Sequence, residues 1–177
     1  SDLSAGSAKK GISKANIYDA DSQRTNNLEF DLSKGVTTEF WMKKDAWVTG
    51  DKHEFIFHNM VSGSSGNSNY GTFHLFVNGN SSSTRNLLYI NIASGSVTAL
   101  SSSFNTGLDN IADGLWHHYA ITAKEQTANL YVDGAYVSSL TMSSINSMKG
   151  TMVASIGALA GKIGTTNATI GWGNIVS

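Results

Sequence analysis

The chain of 177 residues contains no cysteine and no proline. The missing thiols exclude a disulfide scaffold, a thiolate metal site and a cysteine nucleophile together. Charge is scarce as well. Twelve Lys and Arg stand against thirteen Asp and Glu, a net charge of -1, and charged residues are only 14% of the chain. A nucleic-acid binder needs a basic footprint, and an anionic membrane surface asks for the same. Neither partner is expected. No run of 18 apolar residues occurs, so membrane insertion by a helix is not expected either. The start, Ser1-Asp2-Leu3-Ser4, lacks the basic end and apolar run of a secretory leader.

What fills the chain instead is uncharged polarity. Ser, Thr and Asn together supply 56 residues, and Gly another 18. These side chains compete with helical backbone bonds and favour strands and turns. The length fits one domain, with residues 1–27 as an arm or first-strand region and 28–177 as the body. From Leu28 onward, short apolar runs recur between turn formers. The expected strands are Leu28–Leu32, Val36–Lys43, Glu54–Met60, Thr72–Val77, Leu87–Ala93, Leu115–Ala123, Ala128–Asp133, Tyr136–Leu140, Met152–Ile156 and Ala168–Trp172. Each is rich in Val, Ile, Thr and aromatic residues, as strands are. In Thr72–Val77, Phe73, Leu75 and Val77 share one face while His74 and Phe76 lie on the other. A second face of that kind suits a central strand whose outer side is a groove or is roofed.

Asp133-Gly134 between two apolar runs predicts a type I′ hairpin, which needs positive φ at both positions. The tracts Ser62–Asn69 and Asn78–Ser83 are expected loops, and no helix of ten residues is expected. The whole is an all-β jelly-roll sandwich of two antiparallel sheets.

Three motifs carry a family likeness. Asp113-Gly114-Leu115-Trp116-His117-His118-Tyr119 is followed, some ten residues on, by Leu130-Tyr131-Val132-Asp133-Gly134, and Phe40-Trp41-Met42-Lys43 lies upstream. In this order and spacing they resemble the signature of laminin-G-like domains of the concanavalin A-like lectin and glucanase superfamily. The likeness covers residues 28–157. It implies the sandwich fold but leaves function open, because this fold hosts lectins, glycosidases and structural modules. Trp41 and Trp116 are expected to pack in or against the sandwich, as buried aromatics do. His117 and His118 are neighbours on a strand and so face opposite ways. Both are expected to be packed and hydrogen-bonded, with Asp133 and Gly134 serving the turn.

Superfamily glycosidases need paired carboxylates, and the likeness implies a Glu-x-Asp-x-(x)-Glu strand. Glu29-Phe30-Asp31 comes nearest, but Ser33 and Lys34 follow where the third acid should stand. An enzyme is therefore not expected. Sugar sites combine an aromatic platform with Asn, Asp and backbone donors. Trp47, Asn67, Asn69, Tyr70, Asn80 and Arg85 are the candidate ligand contacts. Calcium is common in the superfamily, and Asp19, Asp21, Asp45 and Asp51 are its candidate ligands, since a hard ion prefers oxygen.

The expected function is non-catalytic recognition or adhesion, with a glycan or surface polysaccharide as leading partner. The alternatives are a structural domain that binds neighbouring protein chains and, behind it, a glycoside hydrolase of the same fold. The cysteine-free composition leans toward a phage virion part (tail, fibre or decoration) or a bacterial surface or secreted protein. Extracellular, cell-surface or virion locations follow. In laminin-G-like domains a last strand comes after the Gly-rich loop. Here the residues after Ala168–Gly173 are Asn174-Ile175-Val176-Ser177. The sandwich is thus expected to lack its C-terminal strand within this chain, with that strand supplied by a longer parent or another chain.

Overall fold

The computed structural model describes residues 15–17, 31–47, 53–61, 71–95, 97–144 and 152–157. They form the strands β1 (Ala15–Ile17), β2 (Val36–Lys43), β3 (His53–Val61), β4 (Gly71–Asn78), β5 (Leu87–Ser94), β6 (Val97–Asn105), β7 (Trp116–Lys124), β8 (Thr127–Val132), β9 (Ala135–Thr141) and β10 (Met152–Ile156). Among the described residues the only helical piece is a 3-10 turn at Ser82–Thr84. No helix among them is long and apolar enough to cross a membrane. Two antiparallel sheets face each other. One has the order β1-β10-β3-β4-β5-β6 and the other β2-β7-β8-β9. The all-β sandwich read from the sequence is what the chain forms.

The core lies between the sheets and comes from strict alternation. Phe73, Leu75 and Val77 of β4 and Leu88, Ile90 and Ile92 of β5 meet Tyr119, Ile121, Ala123, Ala128 and Leu130 of β7 and β8. Phe40 and Tyr119 stack within it, ring centroids 5.4 Å apart. A buried ion pair also crosses the sandwich. Lys44, just past β2, places its Nζ 2.6 Å from Glu54 Oε2 at the start of β3.

Two local outcomes differ from expectation. Asp31 and Leu32 are not in a strand: the Asp31 carbonyl accepts the N–H groups of Lys34 and Gly35. Its Oδ1 also accepts from Ser33 N–H at 3.1 Å. This Asx-type bonding holds Asp31 and Leu32 in a turn, and Leu32 reaches the core from there; residues 28–30 of the expected strand lie outside the described residues. Strand β6 was not expected at all. Its Ser101-Ser102-Ser103 run has no strand signature, yet Leu100 and Phe104 are buried and pair across to Ile92 and Leu88 of β5. Two apolar anchors and a paired neighbour are enough. The first 27 residues, expected as an arm or first-strand region, contribute β1, which pairs with β10. The expected strand Ala168–Trp172 and the chain beyond it lie outside the described residues, as does the question of a missing last strand.

The hairpin formed as read. Asp133 has φ 52° and Gly134 φ 80°, the pair of positive values a type I′ turn requires.

Candidate functional site

The family motifs converge at one end of the sandwich. His117 closes a clamp there. Its Nδ1 lies 2.6 Å from Asp133 Oδ2 and its Nε2 lies 3.0 Å from Asp113 Oδ2. A carboxylate only accepts, so two such partners require two ring donors, which is the imidazolium form. Burial works against that charge, but the hydrogen bonds to Asp133 and Asp113, and then their charges, outweigh it and raise the His117 pKa. For Asp113, burial works upward, while the bond to His117 and the Leu115 N–H hold its pKa down on balance. The bond to His117 is the main cause that lowers Asp133. The other carboxylate oxygens are also taken: Asp133 Oδ1 by His118 N–H at 2.9 Å and Asp113 Oδ1 by Leu115 N–H at 2.8 Å. The clamp ties the loop before β7 to the β8–β9 hairpin. The two histidines do diverge as neighbours on a strand must.

Beside the clamp, Trp47 packs its ring on Gly79. A Cβ on Gly79 would collide with the Trp47 ring. Trp47 Nε1 donates to Asn110 Oδ1 at 2.8 Å, and Lys44 Nζ sits 4.7 Å over the ring. Asn80 follows Gly79 and turns the chain through its N–H bond to Asn78 Oδ1. Arg85 gives its carbonyl to Ile111 N–H. The structure thus gathers Trp47, Asn80 and Arg85 on one rim, with Asn110 as an unforeseen partner. Asp45 is exposed there and pairs with Lys43 at 3.4 Å. No cluster of three metal-ligating side chains occurs among the described residues. Asn67, Asn69, Tyr70, Asp19, Asp21 and Asp51 lie outside the described residues.

On the outward face of the six-stranded sheet, β3 and β4 carry a buried patch with aromatic rings. His58, Thr72 and His74 are nearly fully covered although they alternate with core residues. The His58 ring faces Thr72 Oγ1 at 3.1 Å. Burial, aided by the neighbouring His74, pushes the His58 pKa down to about 3, and burial with His53 takes His74 to about 4. Both are neutral rings at ordinary pH.

The outward face of the four-stranded sheet is different. There Trp41 is 59% exposed, Tyr136 58% and Trp116 47%. Of the two placements expected for the tryptophans, in the sandwich or against it, their exposure gives the second, on the outer sheet face. Val36, Thr38, Phe40 and Met42 take the inner side of β2, so Trp41 shares the outer side with Thr37, Glu39 and Lys43. Trp116 and His118 stand outward on β7 for the same reason. Pairing then lines them up. Trp41 sits opposite His118, Lys43 opposite Trp116 and Glu39 opposite Ala120. Ala120 is opposite Tyr131, and Tyr131 is opposite Tyr136. The Trp41 and His118 rings are 5.2 Å apart, and Tyr131 meets Tyr136 edge-on at 5.8 Å. Aromatic rings therefore stand on all four strands as a broken stripe, Trp41 and His118 in one row and Tyr131 and Tyr136 in the next, beside Ala120. Thr37, Thr122, Thr127, Asn129, Ser139 and Thr141 surround it on the same face. Tyr131, Tyr136 and Glu39 were not among the sequence candidates. The period-two pattern of β2, β7 and β8 held the signal for this face.

The fold is that of a two-sheet, lectin-like sandwich. A family model described as the concanavalin A-like lectin/glucanases superfamily matches residues 18–171, and the chain belongs to that family. No curated protein matches it in sequence. Among solved structures it resembles domains LG4-5 of the mouse laminin alpha1 chain, with TM-score 0.53 and 15% identity over 91% of this chain. It also resembles the native heptameric SAP-like pentraxin of Limulus polyphemus, with TM-score 0.53 and 13% identity over 81% of this chain. The chain spans 36% and 61% of those two chains. At such identities the likeness is one of fold.

Proposed function

We propose that the chain is a non-catalytic recognition module whose ligand is carbohydrate, carried as part of a larger extracellular, cell-surface or virion protein. The observation that carries this reading is the exposed Trp41, Trp116 and Tyr136 set among hydroxyl and amide side chains. Sugar rings offer apolar C–H faces bordered by hydroxyls, and an aromatic platform with polar neighbours is their complement. A non-catalytic role is supported by the carboxylates. Asp31 is spent in a turn, Glu54 in a buried ion pair, and Asp113 and Asp133 in the clamp. None offers the paired acid and base that glycoside cleavage uses.

A glycan array, run with and without calcium, tests the reading. Retention on at least one glycan without release of sugar is the expected result. Silence under both conditions, with recovery of a protein partner on the same face, would replace carbohydrate by a structural role. Release of reducing sugar would restore the enzyme alternative.

A further inference from the structure

We infer that the outward face of the four-stranded sheet binds an extended, uncharged polysaccharide lying flat across β2, β7, β8 and β9. This rests on the carbohydrate reading above and names the site and the ligand class within it. The first argument is shape. Strands lie about 4.8 Å apart, so a stripe from β2 to β9 runs about 14 Å. That reaches several linked sugar rings rather than one. Trp41, Tyr131 and Tyr136 sit on a sheet face, with β2 and β9 as the outer strands of that sheet. A surface of this kind lets a chain pass over it, whereas a pocket would capture an end.

The second argument is charge. Glu39 shares the outward face with Trp41, and its side chain is 68% exposed, 3.8 Å from the His118 ring. Lys43, on the same side of β2, is already paired with Asp45. At its β2 end the stripe therefore has a carboxylate two residues before Trp41 and, two residues after it, a lysine already matched by Asp45. A uronic or sulfated chain would meet a like charge there. A neutral chain meets none. The third argument is texture. The rings are separate islands among threonine, serine and asparagine rather than one continuous apolar patch, as a protein partner's anchor would require.

The test is depletion of the whole chain from solution by insoluble neutral polysaccharides (cellulose, chitin, a β-1,3-glucan, mannan) and by anionic gels of alginate and polygalacturonate. Trp41→Ala, Tyr136→Ala and Glu39→Gln are run beside the parent, with thermal melting as the fold control. These side chains are exposed, so melting is expected to stay unchanged. Expected is retention on a neutral polysaccharide that added salt does not weaken. Each aromatic substitution lowers that affinity about tenfold or more, roughly 1.4 kcal/mol, and monosaccharides fail to displace the protein. Glu39→Gln leaves neutral binding intact and raises retention on the anionic gels.

Neutral binding unchanged by Trp41→Ala and Tyr136→Ala overturns the site while the carbohydrate reading stands. Retention confined to anionic gels and lost with salt overturns the ligand class. Full displacement by a monosaccharide overturns the extended geometry. Retention on none of the polysaccharides overturns the extended-polysaccharide proposal, and the glycan array then decides the carbohydrate reading separately. A dimer in sedimentation that Trp41→Ala dissociates gives the face to a second copy of the chain and overturns the proposal.

Discussion

His117 lies between two carboxylates and sets the pH behaviour of its end of the sandwich. Its folded pKa is raised, so the stability it adds is present below its ordinary value of 6.5 and lost as pH climbs through the folded value. Asp113 and Asp133 have lowered pKa values, so theirs is present above the ordinary 3.8 and lost as pH falls through the folded values. The clamp is thus strongest between those limits. His117→Ala should cost about 1–3 kcal/mol at pH 5.5–6. Denaturant melts across pH check this: the gap between parent and variant should shrink toward both acid and alkali. A gap that stays constant with pH would show the loss to be one of packing alone. Gly79 is a second single-residue case. Alanine there meets the Trp47 ring directly, and Gly79→Ala should destabilise by about 1–3 kcal/mol in thermal melting. Its φ is ordinary, so the penalty comes from crowding.

Strand β6 shows what an element needs. It sits at the edge of its sheet, and its inward face depends on Leu100 and Phe104. Phe104→Ala should cost about 3–5 kcal/mol, while exposed Ser101→Ala should stay within about 0.5 kcal/mol. Chemical denaturation of the two variants checks the contrast. The same strand marks where sequence reading stops. Strands β2, β4, β5 and β7–β9 were legible because apolar residues alternate and Asp133-Gly134 fixes a turn. A run of three serines hides β6, because only pairing to β5 makes it a strand. The last two residues of the expected strand Leu28–Leu32 leave it for the opposite reason: the Asp31 side chain builds a turn there. The tryptophans were legible only as far as packing in or against the sandwich. Alternation in β2 places Trp41 beside Thr37, Glu39 and Lys43, on the wet side. The clamp could not be read at all, since Asp113, His117 and Asp133 meet only once the hairpin folds back.

At the scale of the molecule, the two sheets are joined by more than apolar contact. Lys44 and Glu54 form their pair inside the sandwich, and Ser138 of β9 donates its hydroxyl to the Asn105 carbonyl of β6 at 3.3 Å. Lys44→Met leaves Glu54 buried and uncompensated and should cost about 3–5 kcal/mol, whereas Lys44→Met with Glu54→Leu should recover most of that loss. Equilibrium unfolding of the single and double variants checks it. Recovery matters because it separates the charge from the packing of the lysine stem under Trp47.

The pairing of β1 with β10 has a mechanical side. Ala15 lies opposite Ala154 and Ile17 opposite Met152. The N-terminal end of β1 and the C-terminal end of β10 therefore leave the ladder on the same side. Tension drawn between those two points would open the short ladder one rung at a time, like a zip, rather than shear its bonds together. The four-stranded sheet has no rung in that ladder. A module under load in a surface assembly would thus yield first at this seam while the aromatic face kept its shape.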